Sequence, residues 1–436
     1  MIERYAVKVL NDIWNNQTRL ELWWKIELAV IKGWYQLKLI PSDDYTKLIK
    51  AKVVIDQNRM LEIEEQTKHD VIAFTRMIDE QLGLERKWVH LGLTSTDIVD
   101  TAQNYQIKLS NEIVLKTLEE LIANVLKKAL TYKKQLIMGR THGMYGEPTS
   151  LGLKFLLWYD ELLRQKQRIN NARKTIEVTK ISGSMGNYAH IEPEIDEVVA
   201  KELGLDVDSI GTQVTQRDRH IELLSCFANL ATTLEKMAVE LRHWQRSEIN
   251  EAAEGFKIKQ KGSSSMPHKK NPISSENICG LARLIRSYAN TSYENNLLWH
   301  ERDISHSSNE RIIISDCFHL IVYILNRMND VIKNLVINTE VMNKRIDSMN
   351  HIYFSQVLMT KILKQTNYSR EEVYDYLQKM TFFALKNNQD LIAIIKANDI
   401  QKYLPIKTIN KLINNNYFLR NVDKIYKKVL SKKSLT

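Results

Sequence analysis

Between Gly211 and Gly255 the chain carries neither glycine nor proline, and inside that stretch Phe227, Leu230, Leu234, Met237, Leu241 and Trp244 recur at spacings of 3, 4, 3, 4 and 3. Such spacing gathers the apolar side chains into one stripe of an α-helix. It predicts a helix from about Thr215 to Glu254, roughly 60 Å long at 1.5 Å per residue. Four more segments repeat the pattern. One starts near Thr94-Ser95-Thr96-Asp97, good N-cap chemistry, and continues through Val114, Leu118, Leu121 and Val125. Another runs from Leu151 to about Val178, a third follows Pro272 through Ile278, Leu281 and Ile285, and a fourth follows Arg311 through Leu325, Met328, Ile332 and Leu335. Only 14 Gly and 6 Pro serve 436 residues, and no Gly follows Gly280. All-β folds need turn residues every ten or so positions, so a sandwich, barrel or propeller is excluded. No fixed repeat of solenoid length is visible, which leaves a bundle. The expected fold is all-α, with a set of shorter helices over 1–93, a central long-helix bundle over 94–347 and a smaller helical domain over 348–436. Helices this long outrun the cover of one small domain, and their exposed stripes call for partner chains.

Charge and cysteine content narrow the function classes. The formal net charge is +10, but lysines are scattered with acids between them. That reads as compositional bias more than as a nucleic-acid face, and no Arg/Lys cluster with interleaved aromatics is present. The tail lysines Lys427, Lys428, Lys432 and Lys433 read as a solvated helix end and a frayed terminus. Cys226, Cys279 and Cys317 form no CxxC pair, which points to a reducing compartment without a disulfide framework or zinc knuckle. No apolar run has membrane-spanning length, so a cytoplasmic protein without a membrane partner is expected.

Glycine and proline concentrate in three polar breaks: GRTHGMYGEPTS (139–150), SGSMGN (182–187) and KGSSSMPHKKNP (261–272). In a helical protein, such breaks let backbone N–H groups and polar side chains converge. The last could be a solvated linker, but Met266-Pro267-His268 between a serine run and two lysines is unusual for one. SGSMGN is not a phosphate-binding P-loop, because the GK[ST] ending is missing.

GSSSMPHKKNP resembles the signature loop of the fumarase/aspartase superfamily, whose members eliminate fumarate from succinyl-containing substrates. Thr94-Ser95-Thr96-Asp97 matches the first signature region, and Gly139-Arg140-Thr141-His142-Gly143 with Glu147-Pro148-Thr149 resembles the second. Within the superfamily the chain is most similar to the bacterial type of adenylosuccinate lyases. Ile2-Glu3-Arg4-Tyr5, EQTKHDVIAF (65–74), KWVHLGLTSTD (87–97), TQRDRH (215–220) and LWHERDISHSSNER (298–311) carry that resemblance. It covers residues 1 to about 345 and thins beyond. Met144-Tyr145-Gly146 also departs from the family, which usually has a His-Ala pair before Glu-Pro-Thr.

The resemblance implies a cofactor-free C–N lyase of purine biosynthesis, with adenylosuccinate giving AMP and fumarate, and SAICAR giving AICAR and fumarate. It implies a homotetramer whose sites draw residues from three chains. Such an elimination removes a weakly acidic proton beside a carboxylate and protonates the departing nitrogen. By resemblance Ser263 is the base, with Lys269 and local N–H groups lowering its pKa, and Ser264 is the rival. His142 is the general acid, for which an imidazole is suited. His69 is the second active-site histidine, and Glu276 could pair with a lysine or histidine to fix the loop, or simply favour a helix N-terminus. Arg4, Tyr5, Ser307 and Arg311 would contact chiefly the phosphate. Arg302 with Thr94, Ser95 and Gln213 would hold base, ribose or carboxylates. Lys68, Asp70, His90, Met266 and Asn271 complete the expected substrate contacts; His90 could equally be structural. No metal is expected, since no HExxH, paired Cys or acidic ligand cluster appears.

Three rivals remain. Argininosuccinate lyase shares the superfamily, but Lys68-His69-Asp70 and Arg4-Tyr5 suit a nucleotide. A catalytically silent scaffold is opposed by the joint presence of Ser263, His142 and Lys269. A basic nucleic-acid-binding bundle draws only on net charge.

Overall fold

A computed structural model of the chain describes residues 1–256 and 259–431. Lys432 and Lys433 therefore lie outside the described residues, while Lys427 and Lys428 sit on the last helix. Five short helices come first: α1 (Lys8–Trp14), α2 (Asn16–Gln36), α3 (Ser42–Lys50), α4 (Gln57–Thr67) and α5 (Asp70–Asp79). Then come the long α6 (Ser95–Thr131), a hairpin of β1 (Leu136–Thr141) and β2 (Met144–Ser150), and α7 (Leu151–Ile176). β3 (Val178–Thr179), α8 (Pro193–Leu203) and β4 (Asp206–Val207) lead to α9 (Asp218–Gln245). β5 (Ala252–Ala253), α10 (Ile273–Glu294), α11 (Ser305–Asn334) and β6 (Val336–Ile337) follow. Six helices close the chain: α12 (Thr339–Asp347), α13 (Ser355–Leu363), α14 (Arg370–Asn387), α15 (Leu391–Ala397), α16 (Ile406–Leu412) and α17 (Val422–Ser431). The fold is all-α with minor strands.

The heptad reading found all five long helices, and Phe227, Leu230, Leu234, Met237, Leu241 and Trp244 are all buried. Their limits needed correction. The helix expected to reach Glu254 stops at Gln245. The chain turns through Asn250, at φ +47°, and Ala252–Ala253 pairs antiparallel with Val336–Ile337. Strand pairing there overrides a run that contains no breaker residue. α11 starts at Ser305, before Arg311, because Asp303 accepts the Ser305 N–H at 2.8 Å and the Trp299 N–H at 2.6 Å.

The first polar break, GRTHGMYGEPTS, folds as a hairpin, not as the irregular loop its glycines suggested. β1 and β2 are antiparallel, with Thr141 opposite Met144 and Arg140 opposite Tyr145. His142 and Gly143 form the two-residue turn with φ +55° and +77°. Two positive φ values in a two-residue connection give the turn whose twist matches the strands it joins. Glycine adopts that conformation freely; His142 accepts strain to occupy the tip.

Two compact units make up the described chain. One comprises residues 1–121, 162–238 and 276–328; the other comprises 122–161, 239–275 and 329–436. The first has a core of Trp23, Ile26, Phe74, Ile98, Ile195 and neighbours, with α2 packed on α8. The second buries Phe354, Leu358, Leu391 and Ile395 together with Met138 of the hairpin.

Candidate active site

In the first unit the site candidates gather at the N-terminus of α6. Asp97 is fully buried and accepts four hydrogen bonds: from the Thr94 N–H at 2.7 Å, the Lys180 ammonium at 2.7 Å, and the N–H groups of Ser182 and Gly183 at 3.1 and 3.2 Å. Lys180, buried too, also donates to the Gly183 carbonyl at 2.6 Å. One carboxylate thus ties the Thr94-Ser95 turn to the SGSMGN segment. His69, His90, Thr94 and Ser95 line a single cavity of about 200 Å³. His90 is fixed by the buried Glu27, which takes its backbone N–H at 2.9 Å and its Nδ1 at 2.7 Å. Burial opposes the charged imidazole, but Glu27 outweighs it and holds His90 above its ordinary pKa.

A larger cavity, about 620 Å³, is lined by Arg302, Ser307 and Arg311 among others. Arg302 donates to Gln213 Oε1 at 3.3 Å, and the Gln213 carbonyl accepts the Thr96 hydroxyl. Arg311 reaches Asp70 at 3.1 Å and Ser307 Oγ at 3.4 Å. Arg302 and Gln213 form one hydrogen-bonded pair and Arg311, Ser307 and Asp70 another group; Arg302, Ser307 and Arg311 line the cavity. Arg4 is exposed and does not line this cavity, and Tyr5 packs edge-on against Tyr323. Lys68 is an exposed left-handed helix cap at φ +54°.

One wall of the larger cavity is a buried network. Arg217 pairs with Asp100 at 2.6 Å and Glu310 at 3.0 Å. Burial, then the Arg217 charge, lowers His220 to about 3 and His306 to about 4. Both imidazoles are neutral in the folded protein at neutral pH, while in the unfolded chain they titrate near 6.5. Below 6.5 the unfolded chain binds more protons, so stability falls as pH drops and the loss ends only below the folded values. Unfolding free energy from denaturant titrations should decline from pH 7 to pH 5, with a shallower slope in His306→Gln. An identical slope in that variant would refute the assignment.

The second unit carries His142 and the signature loop. Gly262 is pinned where a Cβ would lie 2.1 Å from the Lys269 carbonyl oxygen, so only glycine lets the loop fold back on itself. Asn271 donates to the Gly262 carbonyl at 2.9 Å and closes the loop. Ser263 Oγ accepts the N–H groups of Ser265 at 3.3 Å and Met266 at 3.1 Å. Two N–H donors on one hydroxyl oxygen favour its anionic form. Ser264 and Met266 are exposed, and no hydrogen bond involves the Ser264 hydroxyl among the described residues. The Lys269 ammonium makes no hydrogen bond or ion pair with a described residue, so the cation expected to assist Ser263 does not touch it here.

The family model described as Lyase matches residues 4–286, and the one described as Adenylosuccinate lyase C-terminus matches 352–429. Adenylosuccinate lyase of Bacillus subtilis (strain 168) is 45% identical over 431 residues, covering 98% of this chain and 99% of that protein. The chain belongs to the adenylosuccinate lyase family. The Streptococcus mutans adenylosuccinate lyase is 43% identical over the same shares. Two solved structures share the fold: a fumarate lyase from Mesorhizobium sp. BNC1 (TM-score 0.88, 21% identity, 98% of both chains) and β-carboxy-cis,cis-muconate cycloisomerase from Acinetobacter calcoaceticus sp. ADP1 (TM-score 0.86, 22% identity, 98% of both chains). The thinning of the resemblance beyond residue 345 is thereby corrected: residues 352–429 of the Lys/Asn/Ile-rich segment match the adenylosuccinate lyase C-terminus.

The hairpin departure from the adenylosuccinate lyase pattern also has a structural account. Tyr145 receives a hydrogen bond from Arg345 at 2.5 Å and lies under the Arg140 guanidinium, 5.1 Å from its ring centre. Both arginines converge on the buried Glu251, Arg140 through a two-pronged contact at 2.8 and 2.9 Å. Sequence reading missed Glu251 and Arg345, since a lone Glu and a lone Arg far apart carry no local signal. It also missed Glu254, whose carboxylate accepts the N–H groups of Ser274 at 3.2 Å and Ser275 at 2.7 Å and so caps α10. Glu276, considered for that place, forms no hydrogen bond or ion pair with a described residue.

Proposed function

We propose that this chain eliminates fumarate from adenylosuccinate, leaving AMP, and from SAICAR, leaving AICAR. The observation that carries the reading is full-length similarity of 43–45% to adenylosuccinate lyases. The site chemistry supports it. Ser263 takes the proton from the carbon beside a succinyl carboxylate, the C–N bonding electrons leave with the nitrogen, and His142 supplies that nitrogen with a proton. The N–H groups on Ser263 Oγ favour the base form, and closure of the loop excludes water. Forked guanidiniums at Arg302 and Arg311 suit carboxylate and phosphate oxygens. Both transfers are proton transfers, so no redox cofactor or Lewis acid is called for. His69 positions His142 or a phosphate; Arg4, Tyr5, Lys68, Asp70, His90, Thr94, Ser95 and Gln213 contact the nucleotide.

The working form is a homotetramer in the cytoplasm, each site built from three chains. Apolar residues left exposed on the long helices support this: Leu130, Leu157, Leu284 and Ile312 are each at least 43% exposed in the single chain. The three-part division 1–93, 94–347 and 348–436 goes with it, and the separately matched segment 352–429 supports the last boundary. Purified protein mixed with adenylosuccinate should release fumarate and AMP, followed as a fall in ultraviolet absorbance and checked by chromatography. Release from argininosuccinate instead would overturn the nucleotide assignment.

A further inference from the structure

Arg19 lies on α2, outside every motif the sequence offered, yet it lines the 620 Å³ cavity together with Arg302, Ser307 and Arg311. Its guanidinium stacks over Trp23 at 5.1 Å. Its Nε is shut off from solvent and unpartnered, as is the Nε of Arg302. No hydrogen bond or ion pair joins the Arg19 side chain to a described residue. The acids nearby are engaged elsewhere: Asp100 and Glu310 by Arg217, Asp316 by the Met1 amino group at 2.8 Å, and Asp70 by Arg311. Glu64 lines the cavity and favours the Arg19 charge only at a distance. Burial, and next the charge of Arg311, push the Arg19 pKa down, so this cation is held against another cation. Such a charge costs free energy until an anion meets it. Guanidinium forks with unspent donors around one cavity match the oxygens of a phosphate.

We propose that Arg19 is a phosphate-binding residue of this site, a guanidinium that closes on the nucleotide phosphate beside Arg311 and Ser307. The assignment rests on the adenylosuccinate reading above. One hydrogen-bonded charge contact is worth about 10- to 100-fold in binding. The test compares Arg19→Gln with the unaltered full-length protein on adenylosuccinate and on its dephosphorylated nucleoside, and measures the thermal shift given by AMP and by adenosine. The ratio of kcat/KM for nucleotide over nucleoside should fall about 10- to 100-fold, chiefly through KM. The AMP-induced shift should shrink to that of adenosine. Arg19→Lys, which keeps the charge without the fork, should lose less, and it serves if the glutamine variant does not fold. Equal losses on both substrates, or an AMP shift as large as in the unaltered protein, would overturn the proposal. Failure of the unaltered protein to release fumarate would instead sink the functional reading, and the AMP shift would still judge Arg19.

Discussion

Ser263→Ala should lower kcat on adenylosuccinate by about 10²–10⁴-fold while leaving the fold and assembly state of the unaltered protein, and His142→Ala should do the same. The expectation follows from where each group sits. Ser263 Oγ is the loop hydroxyl oxygen that gathers two backbone N–H donors, and His142 is held at the tip of a two-residue turn in a conformation histidine seldom takes. Neither side chain is part of a hydrophobic core, so removing its functional atoms costs little stability. Each variant should therefore keep the circular dichroism spectrum and the sedimentation behaviour of the unaltered protein. Steady-state rates decide the matter. If Ser263→Ala keeps most of its activity and Ser264→Ala does not, the base is one residue further along the loop. If His142→Ala keeps most of its activity, another group protonates the departing nitrogen.

Lys180→Met should cost about 3–5 kcal/mol of folding stability, because it leaves the Asp97 carboxylate buried without its counter-charge. Lys180 and Asp97 are both shut off from solvent, and their 2.7 Å pair holds the Thr94-Ser95 turn against SGSMGN. The loss should be largely recovered in the double variant with Asp97→Asn, since the stranded charge is then gone. Denaturant titration gives both values. A loss below about 1 kcal/mol for Lys180→Met would mean that water reaches Asp97, and the pair would count as an ordinary surface bridge.

Much of the architecture was legible because helices announce themselves locally. A stripe such as Phe227 to Trp244 repeats with the helical period, and every member is buried. Helix ends were less legible. Gln245 ends its helix through pairing of Ala252–Ala253 with a strand more than eighty residues away, and no local residue encodes that. The GRTHGMYGEPTS break was visible as a break, but its form depended on two positive-φ residues closing a hairpin.

The candidate site divides along the same line. By itself the sequence determined the helical class, the places where helices break and the residue types of the chemistry, because period, turn residues and motif strings are short-range properties. Tertiary structure alone decided which lone charges meet. Glu251 between Arg140 and Arg345, Glu27 on His90, Asp97 on Lys180 and the uncompensated Arg19 beside Arg311 are all contacts of long sequence separation. A single ionisable residue looks the same in sequence whether it is solvated, neutralised or held for a substrate. What separates those states is desolvation and the charge next to it, and both exist only once the chain has folded.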